Sequence, residues 1–446
     1  MPQILVLGAG LSSSSLIRYL LDHSAKRGWR VTLGDISRDL AASKIADHPR
    51  GEAIGFDVND AEQRGRVIGG ADVVISMLPA RMHHLVARAC VDLGKHLITA
   101  SYVSDEVRAL DREARDRGVL LLNEIGVDPG IDHMSAMGVI DRIQRRGGRL
   151  RVFESNTGGL IAPEHDNNPW NYKFTWNPRN VVVAGQGVSR FLHNGRVKHI
   201  PYHKLFRRTE VIEVLDVGEF EVYANRDSLK YLELYGLEGI ETLFRGTMRR
   251  PGYAEAWDVF VQLGMTEDTY TIADSAELTY RDFVNSYLAY EKNVPLEDKL
   301  CRYLGLARDS EVMKKLTWSG IFESERIGLK NATPARILQH LLEPRWQLEP
   351  EDRDMIVMQH QFEYEFDDVQ KRIKSSLVVR GVDPVHTAMS ITVGTPVAIA
   401  AKLLLEGRIE ATGVRIPTTP DIYEPVMEEL ADHGVRFVEE ESIIDD

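Results

Sequence analysis

Two glycines, Gly8 and Gly10, follow a short apolar run in "QILVLGAG" and precede a segment with helical periodicity, "SSSSLIRYLLDHSAKRG". A strand, a glycine turn and a helix make the setting in which backbone N–H groups and a helix N-terminus hold a pyrophosphate. Gly8 would make the turn, Gly10 would let phosphates approach the backbone, and Leu11, Ser12 and Ser13 complete the loop. Ser13 stands where a third glycine is usual, and Ser12 to Ser15 are expected to cap the helix or to donate hydroxyls to phosphate. Asp35 ends the next strand-like run, "WRVTLGD", where a carboxylate grips the ribose hydroxyls of NAD and repels the extra phosphate of NADP. Ile36, Ser37 and Arg38 follow, and an arginine there is able to hold that phosphate, so NAD is expected and NADP is the alternative. Asp57 and Val58 end a third strand, Met77, Leu78 and Pro79 a fourth, and Ser101 and Tyr102 a fifth. In parallel sheets ligands bind at these carboxyl ends.

Other clusters carry less. His83 and His84 are adjacent, so on a helix their side chains diverge by about 100°, and no matching ligand set lies near them in sequence. Glu164, His165 and Asp166 read as a polar loop, and no metal is expected. Cys90 and Cys301 are far apart with no CxxC, which suggests neither a disulfide framework nor a cysteine zinc site and fits a reducing cytoplasm. With 54 Lys and Arg against 67 Asp and Glu, the net charge of −13 argues against a nucleic-acid or anionic-membrane partner. No apolar stretch approaching ~18 residues stands out, so no membrane span is expected. The N-terminus carries no basic region or cleavage pattern, which argues against secretion.

These residues need elements to position them. Residues 3–125 alternate strand-like and helix-like segments, the pattern of a parallel sheet covered on both faces. The fold class is therefore α/β: a dinucleotide-binding domain over 1–127, with a C-terminal segment of two helices, about 385–446, packing back on it. A second, α+β domain on a mostly antiparallel sheet is expected over 128–278 and 354–384, from stretches such as "RLRVFESNTGG", "NVVVAGQG" and "IVMQHQFEYEF". Residues 279–353 are rich in helix signals and predict a helical third domain.

Longer motifs narrow the chemistry. "ITASYVS", "NEIGVDPGIDHM", "GGLIAPEHDNNPWNYKFTW", "ANRDS" and "FRGTMRRPGY" resemble the saccharopine reductases, the glutamate-forming saccharopine dehydrogenases of lysine metabolism, over nearly the whole chain. The resemblance implies a variant Rossmann domain, a substrate domain and a helical domain. It also implies hydride transfer between a nicotinamide and an imine that joins glutamate to α-aminoadipate semialdehyde, with no pathway direction specified. It marks Ser101, Tyr102, Asp128, Thr157, Gly158, Thr175, Trp176, Asn225, Arg226 and Arg245 as substrate-binding. Saccharopine has three carboxylates, which suits Arg226 and Arg245 as bidentate clamps, and Asp128 would receive an ammonium group. Asp128 is the first choice for general acid or base, with Tyr102 or a substrate amine as rivals. Thr157 stands where this family often has a cysteine, which puts an essential thiol in doubt. Related imine-reducing enzymes, a carboxynorspermidine synthase or a lysine 6-dehydrogenase, are the nearer alternative, and a non-catalytic dinucleotide sensor the more distant one. The expected partners are a small-molecule substrate and, as an option, a second copy of the chain.

Overall fold

The computed structural model describes residues 1–444, in two compact units. The first comprises Met1–Leu150, Tyr364–Val369 and Leu377–Glu439, and the second Arg151–Glu363, Gln370–Ser376 and the residues from Glu440.

The first unit is built on a seven-stranded sheet. Its order is Gly413–Arg415, Leu120–Leu122, His96–Ile98, Val73–Ser76, Gln3–Leu7, Arg30–Asp35, Gly51–Gly55, and every pairing is parallel. Alternate residues point to opposite faces. Leu5, Leu7, Val74, Leu97 and Leu121 accordingly share one core with Val86, Ala87, Cys90 and Val91 of the helix His83–Leu93. The chain runs outward from the strand Gln3–Leu7 in one direction and returns to its other side with Val73–Ser76, so the strand order reverses between these two. That reversal opens the crevice in which such sheets bind nucleotides.

The tail differs from expectation. It forms two helices, Ala388–Leu405 and Pro420–Asp432, but also the strand Gly413–Arg415, which extends the parallel sheet beside Leu120–Leu122. Ala388–Leu405 is long and apolar enough to cross a membrane by length and composition, which corrects the expectation that no such stretch exists. It lies largely buried in the first unit, where its Lys402 ion-pairs with Glu429. The sequence boundary at 127 also moves, because the helix Ile131–Arg145 belongs to the first unit.

The second unit carries a sheet ordered Glu210–Glu213, Glu219–Ala224, Thr242–Arg249, Arg149–Ile161, Asp354–Phe366, Val369–Arg380, Val438–Ile443. Thr242–Arg249 pairs antiparallel with Glu219–Ala224 and parallel with Arg149–Ile161. The helices within 279–353 form no separate unit, contrary to the three-domain expectation: Phe283, Leu300, Leu316, Leu338 and Trp346 share one core with Trp170, Trp257 and Phe260. "NVVVAGQG" is likewise not a strand. Pro178–Val182 is a short helix whose first turn holds Pro178 and whose N-cap Asn177 accepts from the N–H groups of Arg179 and Asn180. An Asn cap followed by proline starts a helix strongly enough to override a brief β-branched run.

Candidate active site

The first five strands of the parallel sheet all end at one edge, and the loops after them bring Gly8, Asp35, Asp57, Met77 and Ser101 to that edge. Gly8 has φ +105°, and a Cβ there would lie 2.8 Å from the Met77 carbonyl oxygen. Only glycine allows the loop to pass this close to the fourth strand. Gly10 is different: it is exposed, and a Cβ on it would meet open space. Backbone that is accessible here, just before the helix Ser14–Arg27, fits a pyrophosphate. The Asp35 carboxylate bridges two backbone segments, accepting from Ala9 N–H at Oδ2 (2.8 Å) and from Ser37 N–H at Oδ1 (2.9 Å). It thus couples the glycine loop to the second strand, and being half-buried it remains open to a ligand. The residues present fit a bound dinucleotide.

The serines behave differently from expectation. Ser13 Oγ donates to the Gly10 carbonyl (2.8 Å) and Ser14 Oγ to the Leu11 carbonyl (3.2 Å), so neither hydroxyl caps the helix. Ser15 turns inward, its N–H donating to Ser390 Oγ (2.9 Å) and its Oγ accepting from Ser390 (3.0 Å). These hydroxyls tie the loop to itself and to the helix Ala388–Leu405. Ser12, half-buried, stays closest to the solvent side of the loop with Leu11, which is exposed.

Of the other strand-end residues, Ile36 and Arg38 are exposed and Arg38 Nε reaches the Ala53 carbonyl (3.4 Å). Ser37 caps the next helix, accepting from Leu40 N–H (3.2 Å). Asp57 closes an Asx turn on Asn59 (2.9 Å), and Val58 is buried. Met77 and Leu78 are half-buried and Pro79 is exposed.

Ser101, Tyr102 and Asp128 come together in the same unit. Tyr102 OH lies 3.4 Å from Asp128 Oδ1, a long contact. Asp128 sits in a tightly wound turn: Gly126 N–H donates to the Pro129 carbonyl (2.8 Å), and Gly130 N–H to the buried Asp132 (2.6 Å). A Cβ on Gly130, φ +147°, would fall 2.2 Å from Gly126 N.

Two buried groups outside the sequence-derived site residues, Glu124 and His83, hold this loop. Glu124 accepts from Val103 N–H (3.0 Å), pairs with His133 Nε2 (2.9 Å), and donates its own N–H to the Ser101 carbonyl (3.0 Å). His83 lies between two serines: its Nδ1 is 2.9 Å from Ser76 Oγ and its Nε2 is 2.7 Å from Ser101 Oγ. Burial, and secondarily the charge of His84, push His83 down to about 4.

In the second unit Asn225 donates its N–H to the Arg245 carbonyl (2.8 Å), and Arg226 is exposed with a left-handed backbone, φ +48°. Arg226 does not pair with its neighbour: Asp227 ion-pairs with Arg190 instead. Arg245 is buried, its guanidinium 4.2 Å from the Tyr231 ring centroid and donating to Tyr231 OH (2.5 Å). Thr157 is half-buried opposite Thr247, and Gly158 packs against Met248, where a Cβ would come within 2.7 Å of its carbonyl oxygen. Trp176 is exposed, and the buried Thr175 Oγ1 has no hydrogen-bond partner among the described residues. Arg249, absent from the sequence-derived set, is a buried guanidinium set against the rings of Tyr172 (4.8 Å) and Tyr253 (5.4 Å).

A parallel sheet in this order, with a glycine loop and an acidic residue ending its first two strands, defines a dinucleotide-binding oxidoreductase fold. Residues 4–122 match the saccharopine dehydrogenase NADP binding domain, and residues 126–435 the saccharopine dehydrogenase C-terminal domain. The chain belongs to the saccharopine dehydrogenase family. It is 31% identical to the Schizosaccharomyces pombe protein named saccharopine dehydrogenase (NADP(+), L-glutamate-forming), over 100% of both chains. It is 33% identical to the protein of the same name from Saccharomyces cerevisiae, over 99% of each. The solved structure of the L-Glu-forming saccharopine dehydrogenase from Saccharomyces cerevisiae superposes with a TM-score of 0.90 at 30% identity, covering 99% of this chain and 100% of that one.

Proposed function

We propose that this chain interconverts saccharopine with L-glutamate and α-aminoadipate semialdehyde, using NAD in preference to NADP. The likeness to relatives named for the glutamate-forming reaction, end to end at 31% and 33% identity, is the observation that carries the reaction. When bound, the nicotinamide accepts or returns the hydride. The chain's own residues do the rest. The backbone of Gly8, Gly10, Leu11, Ser12 and Ser13 holds the pyrophosphate. Asn225, Arg226 and Arg245 hold substrate carboxylates, with Arg245 oriented by Tyr231. Positioning of this kind supplies much of the rate in hydride transfer. Asp128 takes the proton that the secondary amine must lose before its carbon gives up hydride, and Tyr102 lies in reach of that carboxylate. Once that proton has passed on to solvent, the same carboxylate takes a proton from the water that attacks the imine.

The cofactor preference rests on Asp35. Its two backbone hydrogen bonds fix a negative charge beside the glycine loop, which favours free ribose hydroxyls over a 2′-phosphate. The relatives are named for NADP(+), so this preference is where the chain is expected to depart from them. Initial rates of saccharopine oxidation with each cofactor test both statements. A higher kcat/KM with NADP overturns the preference, and no turnover with either cofactor overturns the reaction.

A further inference from the structure

Ser76, His83 and Ser101 form a hydrogen-bonded line from the end of the fourth strand to the loop after the fifth. Its direction follows from the protons available. Ser76 is fully buried, and the His83 ring is the partner of its hydroxyl among the described residues. If His83 Nδ1 carried the proton, Ser76 would accept it and its own hydroxyl proton would be left buried without an acceptor, a costly arrangement. Ser76 therefore donates to Nδ1. A neutral imidazole with Nδ1 as acceptor carries its proton on Nε2. Nε2–H then donates to Ser101 Oγ, and the Ser101 hydroxyl proton is left to point away from the imidazole. Ser101 is half-buried at the ligand-bearing edge of the sheet, whereas His83 is buried.

We propose that His83 is a positioning residue that makes the Ser101 hydroxyl a dedicated proton donor toward a carboxylate of the bound substrate. This rests on the reading of Ser101 as a substrate-facing residue of a saccharopine dehydrogenase. A protonated imidazole would break the line, because Ser76 would then receive a proton at Nδ1. Burial of the ring keeps it neutral. The arrangement gives a buried histidine a task that needs neither metal binding nor proton transfer: it removes one of the two orientations the serine hydroxyl would otherwise adopt.

The test is a double-mutant cycle on the full chain, with KM for saccharopine and for NAD and kcat measured for each variant. Ser101→Ala and His83→Leu are each expected to raise the saccharopine KM about tenfold and to leave the NAD KM within about twofold. The double variant is expected to be no worse than either single one, and His83→Gln, whose amide nitrogen replaces Nε2–H, to recover most of the loss. Independent, multiplying losses, or a failure of His83→Gln to recover KM while it folds, would overturn the proposal. The imidazole 15N shifts of histidine-labelled wild-type protein, assigned with His83→Gln, give a second reading that no unfolded variant can block. A neutral ring protonated at Nε2 supports the proposal, and one protonated at Nδ1 overturns it. Wild-type turnover of saccharopine in the same series reports separately on the reaction. If the wild type is inactive the reaction reading fails, and the 15N result still decides the direction of the line.

Discussion

Replacing Asp35 by Asn removes one charge while keeping the side chain's shape. In the wild type both carboxylate oxygens accept from backbone, one from Ala9 N–H and one from Ser37 N–H. In the variant the amide NH2 must face one of those N–H groups, so one backbone donor loses its acceptor, a cost of about 1–3 kcal/mol. That cost falls on the loop and weakens NAD and NADP alike. The charge acts differently on the two. A carboxylate roughly 6 Å from a phosphate dianion is repelled by about 1.4 kcal/mol in water and about 5.5 kcal/mol at an effective dielectric of 20. Asp35 is half-buried, which points to the lower part of that range. The ratio of kcat/KM for NAD to that for NADP cancels the common loop damage and reports the charge. It is expected to fall about tenfold or more in the variant, with a smaller fall at high salt, where the repulsion is screened. The assay is initial-rate saccharopine oxidation by reduced-cofactor absorbance. A ratio unchanged in Asp35→Asn, with both cofactors weakened equally, would refute the argument and leave Asp35 as a tether of the glycine loop only.

Three further predictions concern stability. Glu154 is pushed up to about 7, first by burial and then by Glu210 and Glu363, against the pull of Arg372. A carboxyl raised in the fold stabilises fully below its unfolded value and loses that contribution as pH rises through 7, so Glu154→Gln should raise Tm at pH 8 by the equivalent of about 2 kcal/mol after screening, and leave it unchanged at pH 4. His83 is depressed to about 4, so its contribution is present above pH ~6.5 and is lost as pH falls toward 4, about 3 kcal/mol in all; His83→Gln should flatten that limb of the Tm–pH curve, and a curve of unchanged slope would show that the ring titrates normally. Lys173 and Asp352 form a buried ion pair at 2.6 Å, and Lys173→Met should cost about 3–5 kcal/mol in urea unfolding, because it strands a buried carboxylate; a loss below about 1 kcal/mol would mean that water reaches the pair.

The parallel sheet was legible because its strands are short, apolar and separated by helices of clear periodicity, so Gly8 and Asp35 could be assigned to strand ends from the alternation alone, whereas the fifth strand ends at Ile98 and leaves Ser101 in the loop after it. Gly413–Arg415 was not, since three residues are too few to show a period and their sheet partner lies almost three hundred residues earlier. The helices after 279 read correctly as helices, but sequence periodicity carries no information on which core an apolar stripe joins, and theirs joins that of Trp170 and Trp257. The serines of the glycine loop misled for a related reason. A hydroxyl beside a phosphate loop has ligand and backbone as competing acceptors, and here Ser13 and Ser14 turn to the carbonyls three residues back. His83 stayed hidden because its two partners are 7 and 18 residues away and meet it only once the fourth and fifth strands lie side by side. A histidine next to another histidine draws attention to metals, whereas the informative neighbours were Ser76, which ends the fourth strand, and Ser101, in the loop after the fifth.

The proposed reaction interconverts saccharopine with L-glutamate and α-aminoadipate semialdehyde, with Arg226 among the groups proposed to hold the substrate. The most direct measurement follows reduced cofactor and released L-glutamate together, for wild type and Arg226→Ala, with NAD and saccharopine varied in turn. The wild type is expected to yield the two products in equal amounts. Arg226→Ala is expected to raise the saccharopine KM about 10- to 100-fold, the loss of one charge-assisted clamp on an exposed arginine, and to leave the NAD KM nearly unchanged. Absence of glutamate from the wild-type reaction, or a variant whose two Michaelis constants rise together, would contradict the proposal.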